Sequence, residues 1–119
     1  MSEIIRHYSA KQKIAMQILR DYGPKLVGNH PLDIIFVVPK QPAPMAWVGY
    51  DKPNTVFLNM NTPMSRIANT VCHELVHCQQ FLSGRVTRED LMYSFAGALG
   101  RYHWWEVEAH DIADKLFNY

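Results

Sequence analysis

Thr62-Pro63-Met64-Ser65-Arg66-Ile67-Ala68-Asn69-Thr70-Val71-Cys72-His73-Glu74-Leu75-Val76-His77-Cys78-Gln79-Gln80-Phe81-Leu82-Ser83-Gly84 decides the fold, because it reads as one helix with a core face and a chemical face. Thr62 is expected as N-cap and Pro63 as the first helical residue, while Ser83-Gly84 ends the segment. With His73 at 0° and about 100° per residue, Ile67, Val71, Leu75, Cys78 and Leu82 fall between roughly 120° and 200°. They form the predicted core stripe. His73, Glu74 and His77 lie on the other side with Arg66, Thr70 and Gln80, facing a cleft.

His73 and His77 are separated by about 40° around the helix and roughly 6 Å along it, close enough to share one tetrahedral zinc ion. Glu74 follows His73 by about 100°, so its carboxylate can reach an activated water without occupying the metal. A chain with six histidines can place such a triplet on a solvated face by chance. The capped helical setting argues for the motif instead.

Zinc needs a third protein ligand, and the final helix, His103 to Ala113, offers Glu106, Glu108 and His110. There Tyr102, Trp105, Ala109, Ile112, Ala113, Leu116 and Phe117 make a broad apolar face that includes Glu106. A carboxylate on a buried face needs a cation, a hydrogen-bond network or a metal. Glu106 is therefore the predicted ligand, while Glu108 falls on the solvated side with Asp111, Asp114, Lys115 and Asn118. His110, one turn after Glu106, is either an outer-shell partner that orients a ligand or an alternative ligand. His103, on the same edge, is a candidate for stabilising a developing oxyanion, as are Tyr93 and Tyr102.

His73-Glu74-Leu75-Val76-His77 followed by Glu106-Val107-Glu108-Ala109-His110 resembles the gluzincin zinc metallopeptidases, including small phage and bacterial domains of the ImmA/IrrE type. The resemblance spans roughly residues 55–116. It implies a zincin-like fold, one zinc ion held by His73, His77 and Glu106, and Glu74 as general base. His110 stands where that family has Asp or Asn. A metzincin would require glycine at position 80 and histidine at position 83, but the chain has Gln80 and Ser83. SprT-like proteases, which act on proteins at DNA, take a later histidine as third ligand, a part open to His103 or His110.

At 119 residues the chain is expected to be a single domain, residues 1–119. Twelve Lys and Arg against eleven Asp and Glu give a net charge of +1, no electrostatic case for nucleic acid or an anionic membrane as main partner. Arg6, Lys11, Lys13 and Arg20 read as the wet side of a first helix. Cys72 and Cys78 lie about 9 Å apart on one helix, beyond disulfide reach, and read as reduced core residues. The N-terminal residues lack an apolar run of signal-peptide length, and no 18 consecutive residues are apolar, so a cytoplasmic location is expected. Oligomeric state is not encoded in these patterns.

The remainder predicts an α+β domain with a small, mostly antiparallel sheet. Ile4, Ile5, Tyr8, Ala15, Ile18, Leu19 and Tyr22 recur at helical spacing, and Gly23-Pro24 should stop that helix. Asp33 to Val38 reads as a strand buried on both faces, ended by Pro39. Ala46–Tyr50 and Thr55–Asn59 read as an antiparallel hairpin joined by Asp51-Lys52-Pro53-Asn54. Thr87-Arg88-Glu89-Asp90 resembles a capping box opening a helix to about Leu99. Thr55–Asn59 should form a sheet edge beside the metal helix, where an extended substrate can add as a further strand.

The expected activity is zinc-dependent hydrolysis of a protein or peptide substrate. Glu74 takes a proton from the attacking water and returns it to the departing amine. Two other functions compete: a non-catalytic zinc-binding module that holds a partner, and a SprT-like protease. A purely structural zinc would need a fourth side-chain ligand, and no cysteine is placed to serve.

Overall fold

Helical apolar spacing produces α1, Ser2–Val27, which turns Ala15, Ile18 and Val27 into the core. The computed structural model describes the backbone of residues 2–96 and 103–117 and the side chains of residues 9–92 and 103–117. α1 does not stop at Gly23-Pro24 but continues one turn to Val27. Pro24 has no N–H to return to the preceding turn, yet burial of Val27 and partial burial of Leu26 hold that turn against the core. Gly23 leaves room for Leu32, whose Cδ1 would lie 2.9 Å from an added Cβ. Gly28, at φ 80°, ends the helix, its N–H donating to the Pro24 carbonyl at 3.1 Å.

Three short strands follow: β1 (Asp33–Val37), β2 (Ala46–Trp47) and β3 (Thr55–Asn59). Their spatial order is β1-β3-β2. β2 and β3 pair antiparallel, Ala46 opposite Leu58 and Trp47 opposite Phe57, as the hairpin reading predicts. The longer ladder is parallel, from Asp33 opposite Thr55 to Val37 opposite Asn59. The sheet is thus mixed rather than mostly antiparallel. Nor is β3 an edge: it is the central strand, while β2 and β1 form the margins. β1 accordingly buries Ile34 and leaves Ile35 exposed, not the two-faced burial expected. An edge strand with one covered face needs only alternate apolar positions inside.

Thr62 does not cap the metal helix. Its buried hydroxyl donates to the Met45 carbonyl at 3.1 Å, an oxygen that also accepts the Asn59 N–H at 2.8 Å. The connection enters a 3-10 turn at Met64–Arg66 and then α2, Ile67–Leu82, which Ser83 and Gly84 (φ 77°) close as expected. Ile67, Val71, Leu75 and Cys78 are wholly buried, and Cys72 and Val76 nearly or fully so. α2 is the central element, packed against α1, α4 and the sheet. α3, Arg88–Ala96, opens on the predicted capping box: Thr87 N–H donates to Asp90 Oδ2 at 2.8 Å and Asp90 N–H to Thr87 Oγ1 at 3.3 Å. Its predicted end near Leu99 lies outside the described residues. α4, Trp104–Leu116, buries Trp105, Ala109 and Ala113.

The outcome is an α+β domain with, among the described residues, four α-helices and a three-stranded mixed sheet. Among those residues no helix is long and apolar enough to cross a membrane.

Candidate metal centre

Helical spacing puts His73 and His77 on one side of α2, and the packing of α4 brings Glu106 over them. The two Nε2 atoms lie 3.1 Å apart. Glu106 Oε1 is 2.5 Å from His77 Nε2 and 3.3 Å from His73 Nε2. Glu106 occupies the first turn of α4, where the helix N-terminus favours negative charge, and its N–H donates to the His103 carbonyl at 3.0 Å. His73, Glu74 and His77 also offer ligand atoms within 4.8 Å of one another. These residues can hold a metal ion.

The donor set fits a small, borderline cation. Bonds of 2.0–2.1 Å to a tetrahedral ion place ligand atoms about 3.3–3.4 Å apart, so two of the three separations need little or no change. Only the His77–Glu106 pair must open, by somewhat under 1 Å on the same geometry. Two imidazoles and a carboxylate so close together require positive charge among them, either protons on the rings or a metal ion.

The electrostatics show the same demand. Hydrogen bonds from His73 and His77 hold the Glu106 carboxyl far below the usual carboxylate range, against the opposing effect of burial. Burial pulls the His77 imidazole down, but its hydrogen bond to Glu106, the Glu74 charge and the bond to Gln80 together raise it above its ordinary value. Glu74 shifts in the direction opposite to Glu106: burial raises its carboxyl, and the nearby charges of His77 and His73 only partly offset that. The two glutamates thus differ in kind. Glu106 is held as an anion, and burial makes Glu74 bind a proton more readily than a free carboxylate does.

Gln80 is the residue that sequence reasoning placed wrongly. Expected on the cleft side, it is fully buried under α4. His77 Nδ1–H donates to Gln80 Oε1 at 2.8 Å, and Gln80 Nε2–H donates to the Trp105 carbonyl at 2.9 Å and to Glu108 Oε1 at 3.1 Å. Its place three residues after His77, inside one helix turn, was the available signal. Glu108 is likewise not merely solvated: it is half-buried and paired with Arg85, whose Nη2 lies 2.6 Å from Oε2. That pairing, chiefly, lowers its carboxyl below the ordinary value.

His110 stands edge-on to His73, ring centroids 4.5 Å apart, so it neighbours the centre through a ring contact rather than a hydrogen bond. His103 is the N-cap residue of α4 and stacks on Trp105 at 4.2 Å. Its Nε2 is buried without a hydrogen-bond partner among the described residues. The side chain of Tyr93 and the whole of Tyr102 lie outside the described residues.

Beside the donor cluster is an open hollow of about 320 Å³, bordered by Glu74, His77 and Glu106. Trp47 and Val48 at the β2 margin, Phe81, Leu91 and Trp105 give it apolar walls. Since the Met45 carbonyl points at β3, alternation turns the backbone groups of Ala46 away from it, toward the open side of the sheet. The edge beside the centre is therefore β2, not Thr55–Asn59.

Compared with family models, curated proteins and solved structures, the chain matches none of them.

Proposed function

We propose that this chain is a zinc metallopeptidase of the gluzincin kind, with His73, His77 and Glu106 as ligands of one ion and Glu74 as general base. The observation that carries the reading is the convergence of His73 Nε2, His77 Nε2 and Glu106 Oε1 within 3.3 Å of one another, with the Glu74 carboxylate in the same group. Zinc bound there would polarise a carbonyl and bring the pKa of a water down toward about 7.

Glu74 accepts the proton of the attacking water and delivers it to the departing amine. Its burial suits the first half of that task, because a carboxylate with raised proton affinity takes a proton from water more readily than one free in solvent. The outward backbone groups of β2 hold an extended peptide across the hollow, whose walls take its apolar side chains. The substrate is thus an unfolded protein or a peptide. Two buried free thiols, Cys72 and Cys78, suit a reducing cytoplasm.

A second ligand set, with His110 as third ligand in the SprT-like manner, is favoured by the 4.5 Å ring contact with His73. The test is cleavage of fluorescein-labelled unfolded casein and of a mixed peptide library by zinc-loaded protein. Cleavage that ceases on chelation and returns with zinc is expected. Full zinc loading with no cleaved bond in either probe contradicts the peptidase reading and leaves a binding module.

A further inference from the structure

Gln80 is 0% exposed, and all its amide atoms are engaged by groups that leave it one orientation. The Trp105 carbonyl and the Glu108 carboxylate accept hydrogen bonds and cannot donate them, so the NH2 of Gln80 must face them. Its carbonyl oxygen must then face His77 Nδ1, which can approach to 2.8 Å only by donating a proton. With Nδ1 carrying hydrogen, Nε2 is the nitrogen left to bind a cation.

The chain of contacts continues outward. Arg85 donates from Nη1 to Glu108 Oε1 at 2.9 Å and from Nη2 to Oε2 at 2.6 Å, and from Nη1 to Gln79 Oε1 at 2.8 Å. Its guanidinium also lies over the Trp104 ring, 5.2 Å from the centroid. The Glu108 oxygen that receives Gln80 is therefore itself fixed by a two-point ion pair from Arg85, in the turn that follows α2, to α4.

We propose that Gln80 is the positioning residue of the metal centre: held by Glu108 and Arg85, it fixes His77 as the Nδ1–H tautomer and aims its Nε2 at the ion. This rests on the metal-site reading above and gives the polar contact between α2 and α4 a function beyond packing. An outer-shell partner of a ligand histidine contributes about 10–100-fold to metal affinity. Gln80→Leu keeps much of the volume and removes the acceptor. Glu108→Ala leaves the His77 bond and the Trp105 carbonyl in place and removes only one of the two acceptors that hold the amide, so its effect is smaller.

The test is zinc affinity by chelator competition, together with solvent exchange of the His77 Nδ1–H proton by NMR in zinc-loaded and metal-free protein. Gln80→Leu should bind zinc about 10–100-fold more weakly and lose the slowly exchanging Nδ1–H. Glu108→Ala should weaken zinc severalfold and speed that exchange, which gives a result even if Gln80→Leu does not fold. Zinc affinity within twofold of the parent in either folded variant, with Nδ1–H exchange unchanged, overturns the proposal. A parent chain that takes no zinc contradicts the metal-site reading itself. The exchange measurement on metal-free protein then shows separately whether Gln80 orients His77.

Discussion

Replacing Glu74 with glutamine changes one oxygen to an NH2 and should separate activity from stability in opposite directions. The side chain is 8% exposed, and burial raises its carboxyl, so the parent either desolvates an anion or keeps a proton there at neutral pH. A carboxyl raised on folding contributes stability that is present below its unfolded value of 4.5 and lost as pH rises through the folded value. The neutral amide of the variant carries no such loss. Metal-free Glu74→Gln protein should therefore melt higher than the parent at pH 7, with the advantage vanishing below about pH 4. Catalysis should fall, because a positioned general base contributes about 10²–10⁴-fold, or roughly 2.7–5.4 kcal/mol of barrier. Initial rates on labelled unfolded casein, alongside calorimetric melting at pH 3.5 and 7, give both numbers. Undiminished turnover at full zinc loading refutes the base assignment, and a lower melting temperature at pH 7 refutes the cost assigned to the buried carboxyl.

Arg85→Ala should destabilise the fold by under about 1 kcal/mol at pH 7, since the ion pair with Glu108 is 42% and 27% exposed. Because that pair lowers the Glu108 carboxyl, its contribution is present above the unfolded value of 4.5 and fades as pH falls through the folded one, so the gap between parent and variant in urea melts should narrow steadily as the pH is lowered below that range. Burial lifts the thiols of Cys72 and Cys78 to about 11 and about 12. Native protein at pH 8 should leave a disulfide reagent unreacted, and unfolding should release two equivalents per chain. Gly84→Ala forces a side chain onto a residue at φ 77° and should cost about 1 kcal/mol in thermal or urea unfolding, without altering zinc content.

How much of this was legible in the sequence depends on the range of the interaction involved. His73 and His77 converge through helix geometry alone, and the apolar company of Glu106 on α4 was enough to choose it as the carboxylate that meets them, although Glu108 is no more exposed. The capping box at Thr87 and Asp90 and the stop at Gly84 are equally local. The parallel pairing of β1 with β3 is not, because strands separated by β2 in sequence leave no local signature of their pairing. Continuation of α1 through Pro24 depends on the burial of Val27, a tertiary gain that outweighs a local breaker. Gln80 and Glu108 were misplaced for a related reason: each lies on a polar face of its own helix, and those two faces meet. Helical wheels place a residue relative to its own axis and say nothing about the neighbour it will encounter.

Extended X-ray absorption spectra of zinc-loaded protein, read beside metal stoichiometry for Glu106→Ala, His110→Ala and Glu74→Gln, bear most directly on the centre. One ion per chain with two imidazole nitrogens and carboxylate oxygen at about 2.0–2.2 Å is expected, lost with Glu106→Ala and retained in the other two variants. Retention in Glu106→Ala with loss in His110→Ala would contradict it.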